Sequence, residues 1–118
     1  MKYSNKPFDI ALNELFSSSP MGLREFARKT GVNYSYLSKL RNGRMPPPSD
    51  DVIQKIARGF KVPVDYFLEF RLRCVYRALL IDPDFVTALH YVSKQSVPRQ
   101  KQIKKRFISF VKKEVSAN

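Results

Sequence analysis

The stretch LREFARKTGVNYSYLSKLRNG, residues 23–43, spaces its small and apolar side chains as two short helices crossing at a steep angle require. Ala27 is small where a second backbone must come close, and Gly31 supplies the positive φ of a three-residue turn. Phe26, Val32, Leu37 and Leu40 then fill the space between the inner faces. With the core positions assigned, the outward positions of the second helix follow. Asn33 is placed as an N-cap whose side chain accepts from an amide one turn on. Tyr34, Ser35, Tyr36, Ser38 and Lys39 leave the buried stripe, and Arg41, Asn42 and Arg44 gather at its far end. No acidic residue occurs from Thr30 to Ser49, whereas a merely solvated helix face alternates Glu with Lys. A donor-rich, acid-free face of this kind suits a polyanion.

These residues carry a family likeness. Segment 22–68 resembles the helix-turn-helix domain of the phage repressor and Cro type, the XRE family: EFARKTGV occupies the x-L-A-x-x-x-G-V pattern, and YLSKLRNG and the closing VPVDYFLE follow it. The resemblance implies a five-helix layout and binding to double-stranded DNA, with the recognition helix, residues 33–42, in the major groove. It places the base-reading positions on Tyr34, Ser35, Ser38 and Lys39, and a phosphate clamp on Asn42. Lys39 suits guanine O6 and N7, the serines suit several bases, and Tyr34 or Tyr36 suits a thymine methyl or a phosphate. Asn33, Arg41, Arg44 and Arg24 are the further expected phosphate contacts. Three positions depart from the pattern. Leu23 stands where a Gln often braces the recognition helix, Gly22 replaces a Ser or Thr cap, and Thr30 occupies a place that is usually apolar.

The composition agrees with a polyanionic partner. The 118 residues hold 22 Lys and Arg against 10 Asp and Glu, a net charge of +12. Residues 1–60 carry 10 basic and 5 acidic side chains and residues 61–118 carry 12 and 5, so the whole chain and not one tail is cationic. No apolar run approaches the roughly 20 residues that cross a bilayer, and the N-terminal MKYSNKPFDI lacks the apolar core of a signal peptide. A cytoplasmic, nucleoid-associated protein without membrane contact is expected. Cys74 is the one cysteine, so no internal disulfide forms, and with His90 as the one histidine there is no metal-ligand set. Cys74 reads as a small buried hydrophobe. Neither a phosphate-binding glycine loop nor a nucleophile motif occurs, so neither an enzyme nor a cofactor is expected.

Around the central pair the chain reads as all-α. Phe8, Ala11, Leu12, Leu15 and Phe16 keep helical spacing, predicting a helix over 7–17 with Pro7 in its first turn. The two central helices span about 22–29 and 34–42, with Gly43 as the glycine that ends the second. Pro46, Pro47 and Pro48 make a stiff connection. Ser49 caps a fourth helix, with Asp50 and Asp51 in its first turn and Val52, Ile53, Ile56, Ala57 and Phe60 as its buried stripe. After Pro63 a fifth helix runs without an evident stop to Ile81. Asp82 and Pro83 open a sixth, to about Lys94, and Pro98 opens a seventh that carries Ile103, Phe107, Phe110, Val111 and Val115.

The expected architecture is a five-helix repressor-like helix-turn-helix domain over residues 1–68, followed by a helical C-terminal dimerisation segment over 69–118. The apolar stripes of that segment are too many for so short a piece to hide alone. A homodimer through it sets two recognition helices for half-sites about one DNA turn apart, ~34 Å. The function expected is sequence-specific binding of an inverted-repeat operator as a transcriptional regulator, repression being the simpler outcome because occupying a promoter suffices. Two other classes fit the same residues: an antitoxin-like or phage-encoded protein-interaction module, and a non-specific nucleoid-associated DNA-binding protein. Co-purification with a partner marks the first, and competition by random DNA the second. The seventh helix carries Arg99, Lys101, Lys104, Lys105, Arg106, Lys112 and Lys113 against Glu114 alone, which reads either as a solvated face or as a phosphate-binding one.

Overall fold

The computed structural model describes residues 3–117, and among them every regular element is helical. In chain order these are α1 (Phe8–Ser17), α2 (Leu23–Thr30), α3 (Tyr34–Arg41), α4 (Asp50–Phe60), a 3-10 turn (Val64–Tyr66), α5 (Leu68–Leu80), α6 (Pro83–Ser93) and α7 (Val97–Ser116). The chain divides into two compact units, residues 1–76 and 77–118, the division falling inside α5. Among the described residues no helix is long and apolar enough to cross a membrane.

The first unit closes over one core. Leu12, Phe26, Leu37, Leu40, Ile53, Ile56 and Phe67 have essentially no exposed surface, each contributing roughly 1.5–3 kcal/mol by leaving water. At its centre Phe26 stacks on Phe60 with centroids 4.3 Å apart, and Phe16 meets both rings edge-on at 5.0 and 4.9 Å. The second aromatic contact, Phe8 against Phe67 at 4.9 Å, ties α1 to the segment that follows α4. α4 reaches α2 through Gly59: a Cβ there would stand 2.6 Å from the Phe26 ring and 2.7 Å from Thr30 Cγ2. Gly59 is therefore a close-approach position, which its place inside a helix does not reveal.

Helix ends follow two patterns. α3 ends in a Schellman motif, with Gly43 at φ +69° and the Arg44 and Gly43 amides returning to Lys39 O and Leu40 O. α4 ends the same way on a residue with a Cβ: Lys61 sits at φ +59°, and the Val62 and Lys61 amides return to Ala57 O and Arg58 O. At the other ends, Asp82 accepts from Phe85 N and Ser96 from Arg99 N, capping α6 and α7. Two start signals differ from expectation. Ser49 holds the N-cap position of α4, but its hydroxyl accepts no amide; Asp50 and Asp51 supply the negative charge in that first turn. Pro7 stands one residue before α1, and the first free amide, Phe8 N, donates to Glu69 Oε2 at 3.1 Å, a cap delivered from 61 residues away.

The fifth helix is not continuous from Pro63. It breaks at Phe67, whose backbone is extended (φ −87°, ψ +130°) while its ring is fully buried. The reason is tertiary. The carbonyls that the break releases, Asp65 O and Tyr66 O, accept from the Arg71 guanidinium at 2.8 and 3.0 Å, and Tyr66 O also accepts from Ser4 N at 2.9 Å. The same guanidinium donates to Ser4 O and Asn5 Oδ1 and lies 5.0 Å from the Tyr3 ring, so Arg71 fastens the N-terminal residues to the break it stabilises. Further along α5, residues 74–78 are all exposed. Cys74 is among them, against the buried role expected of it, because α5 leaves the core after Phe70.

The second unit is built on α6 and α7. Phe85 and Phe107 approach to 6.4 Å, and Gln100 Nε2 closes the connecting turn by donating to Ser93 O and Gln95 O. Phe85, Leu89, Val92, Ile103 and Phe107 line an apolar groove of about 270 Å³. Large apolar side chains of this unit stay exposed, Phe110 at 60% and Val115 at 67% among them.

Candidate nucleic-acid interface

The interface is built from the α2–α3 pair outward. Gly31, at φ +78°, makes the turn, and its amide returns to Ala27 O at 2.9 Å. Thr30, in its usually apolar place, is satisfied rather than stranded: its hydroxyl donates to Phe26 O at 2.8 Å and accepts from Val32 N at 3.3 Å, closing the turn from inside. Asn33 then starts α3, its Oδ1 accepting from Tyr36 N at 3.0 Å. The capping, the turn glycine and the five buried residues Phe26, Ala27, Val32, Leu37 and Leu40 all stand where the sequence places them.

With Leu37 and Leu40 inside, Asn33, Tyr34, Ser35, Lys39, Asn42 and Arg44 are exposed on or beside α3, and Ser38 is half-buried between them. Two residues expected in this group sit differently. Tyr36 is half-buried and packs against the core, because one helical turn carries it onto the side of Leu40. Arg41 is half-buried too: its Nε donates to Asn13 Oδ1 at 2.8 Å, while its guanidinium lies 4.4 Å from the centroid of the Phe16 ring. Asn13 completes the exchange by donating Nδ2 to Arg41 O at 2.8 Å and to Asp9 O at 2.9 Å. The far end of α3 is thereby tied to α1.

The near end is tied to α2. Arg24, expected on phosphate, lies 4.5 Å over the ring of Tyr34, a cation–π contact that joins the first turn of α2 to the first turn of α3. Leu23 packs against the core in the position from which a Gln braces many such helices, so the brace is supplied one residue later by Arg24. Sequence reading missed Asn13. Its one signal is an amide of low helix propensity in the middle of an amphipathic helix, with no solvent-facing reason to be there.

The face so assembled presents Arg24, Lys39 and Arg44 with hydroxyl and amide donors between them, and nothing acidic on the segment that carries α3. Residues 22–67 match a family model described as helix-turn-helix. This segment is an XRE-type helix-turn-helix domain. The chain is accordingly a DNA-binding transcription regulator whose XRE-type domain comprises α2, α3, α4 and the 3-10 turn, with α1 packed on them. No curated protein and no solved structure matches the chain.

Proposed function

We propose that the protein is a sequence-specific repressor that binds an inverted-repeat operator as a dimer, with α3 in the major groove. The observation that carries this reading is the outward face of α3: Tyr34, Ser35 and Lys39 are exposed around a half-buried Ser38 while both ends of the helix are pinned, by Arg24 on Tyr34 and by Asn13 on Arg41. Ser35, Ser38 and Lys39 read base edges, with Tyr34 beside them, and Asn33, Asn42, Arg44 and Arg24 hold phosphates. Tyr36 and Arg41 act from behind the face, Tyr36 through the core and Arg41 through α1, and reach DNA only with the part of each side chain that stays uncovered.

Dimerisation is assigned to residues 69–118. The support is exposed apolar surface on each helix of that segment: Leu72, Val75 and Tyr76 on α5, Phe85 and Leu89 on α6, and Phe107, Phe110 and Val115 on α7. Large exposed apolar side chains on every helix of a segment mark interaction sites. A closed two-fold pairing matches the two-fold symmetry of an inverted repeat. Work in the cytoplasm on the nucleoid follows from the same reading.

Selection of bound duplexes from a random pool at physiological salt tests the reading as a whole. An inverted repeat is expected, with half-site centres about 34 Å or a multiple apart. Enrichment of no motif would remove sequence specificity, and a monomer by sedimentation at micromolar concentration would remove the dimer. Within the motif, Lys39→Ala is expected to cost about 1–3 kcal/mol on the preferred site and to relax selectivity at one position. An equal loss on every duplex would move Lys39 to the phosphate group.

A further inference from the structure

α7 carries a second ordered set of cations, on a unit that the XRE-type domain does not include. At ~100° per residue, Lys101, Lys105 and Lys112 fall within about 40° of one another on the helix surface, and Arg99, Arg106 and Lys113 form a second row about 120° away. Between the rows lie Gln102, Ser109 and Ser116, all polar and all exposed like the six cations themselves. The two rows stand roughly 8–9 Å apart at the helix surface, and extended Lys and Arg tips carry them to the ~12 Å width of a major groove.

The arrangement differs from an ordinary soluble exterior in two respects. A soluble face mixes both signs, whereas the one acid of α7, Glu114, falls near the angular positions of Ile103 and Phe107, on the apolar side. Among the described residues no ion pair involves any of the six cations; Arg99 bonds to Gln102 within its own row gap at 3.1 Å. Six unneutralised charges held on 20 residues of one helix repel each other unless an anionic partner takes them up. Lys104, the seventh cation, does not belong to the set, since it lines the apolar groove against α6.

We infer that the two-row face of α7 is a second DNA-binding surface, one that grips the phosphate backbone of duplex DNA without reading sequence. An anionic membrane is the less favoured partner. A helix lying in a bilayer surface inserts its whole apolar side, and here Ile103 is half-buried in the groove against α6, while the helix-turn-helix domain on the same chain already brings duplex DNA to the protein. The surface rests on DNA binding by the chain but adds a contact that the recognition helix does not make, so it raises affinity for every duplex alike.

The test uses the full chain, titrated by fluorescence anisotropy against its selected duplex and a scrambled duplex between about 50 and 200 mM salt. One variant carries Lys101→Gln, Lys105→Gln and Lys112→Gln, a second Arg99→Gln, Arg106→Gln and Lys113→Gln. A charge control carries Lys29→Gln, Lys55→Gln and Arg58→Gln, which line a recess between α2 and α4. Each α7 variant is expected to lose about tenfold or more on both duplexes equally and to lower the slope of log affinity against log salt by about 2–3, while the control keeps its slope. All nine side chains are exposed, so far-UV circular dichroism is expected to stay unchanged. An unchanged slope in the α7 variants overturns the surface. So does an equal drop in the control, which would assign the effect to net charge, and so does vesicle binding that the variants lose while DNA binding stays intact. Wild-type protein that binds neither duplex would refute DNA binding itself, whereas loss confined to the selected duplex in Lys39→Ala beside intact α7 behaviour separates the two surfaces.

Discussion

Replacing Asn13 with Ala is expected to loosen α3 from a position outside that helix. The Asn13 side chain makes three hydrogen bonds: Nδ2 to Asp9 O, Nδ2 to Arg41 O, and Oδ1 from Arg41 Nε. The amide orientation is fixed by chemistry, since a guanidinium has no acceptor and the Asn oxygen must face it. The two bonds to Arg41 contribute roughly 0.5–1.5 kcal/mol each, and removing the amide also leaves the Arg41 carbonyl and Nε partly desolvated without a partner. Against this, Ala gains about 0.6 kcal/mol of helix propensity over Asn. The net expected loss is about 2 kcal/mol, or about 10 °C in Tm for a unit of this size. Urea titration followed by far-UV circular dichroism reads the first quantity and a thermal scan the second. Asn13→Asp keeps an acceptor for Arg41 but loses both donations, so it is expected between wild type and Ala. A double-mutant cycle with Arg41→Ala isolates the exchange and is expected to give a coupling of about 1 kcal/mol or more. A stability change within about 0.5 kcal/mol of zero, with no coupling to Arg41, would refute the claim that this amide holds α3.

Three further substitutions probe the frame. Gly59→Ala pushes a methyl to 2.6 Å from the Phe26 ring, which is fully buried and stacked on Phe60 and has nowhere to retreat, so a net loss of about 1–2 kcal/mol is expected in spite of the helix propensity gained; a stabilised variant by urea titration contradicts the close approach. Lys61→Gly removes the strain of a left-handed residue with a Cβ at the end of α4 and is expected to stabilise by about 0.5–1 kcal/mol, read as a higher urea midpoint at unchanged slope. Arg71→Ala takes away donors to Asp65 O, Tyr66 O, Ser4 O and Asn5 Oδ1 at once; a loss of about 2–4 kcal/mol is expected together with faster amide exchange at Ser4, and exchange unchanged there would show that the N-terminal residues are held by something else.

What the sequence shows well is local. Gly31, Asn33 and Gly43 act through their own backbone or the next turn, so type and spacing suffice to place them, and the apolar residues of α1 to α4 repeat with the period of the helix they form. What escapes is whatever is decided from a distance. PVDYFLEF contains no breaker after Pro63, and the interruption at Phe67 exists because Arg71 and Ser4 satisfy the carbonyls it exposes. Gly59 reads as an unhelpful helix residue until α2 is seen against it. Cys74 reads as core because a free cysteine behaves as a small hydrophobe, but Leu72, Val75 and Tyr76 around it on α5 are themselves exposed. At the site the same division holds. The identity of the outward residues is legible, while the engagement of Arg41 with Asn13 and Phe16, and of Arg24 with Tyr34, depends on which helices meet.

Those two engagements change how the face of α3 is to be understood. Each uses a cation that a count of charges would assign to phosphate, and each engages part of that cation on an aromatic ring of a neighbouring helix, a contact of about 0.5–1 kcal/mol at the exposed Arg24–Tyr34 pair and more at the half-buried Arg41 over Phe16. Guanidinium groups stacked in this way keep donors directed outward while losing the freedom to wander. Such side chains give up less entropy when a phosphate binds than free lysines do. On the proposed reading, Arg24 and Arg41 therefore fix the register of α3 on a duplex more than they add raw attraction. Lys39 and Arg44, whose exposed side chains make no hydrogen bond or ion pair among the described residues, carry the more salt-dependent share on the same reading. Specificity on the proposed reading falls to the short side chains that the pinned helix can place accurately, Ser35 and Ser38, with Lys39 as the one long reader whose tip must still be ordered by the base it finds.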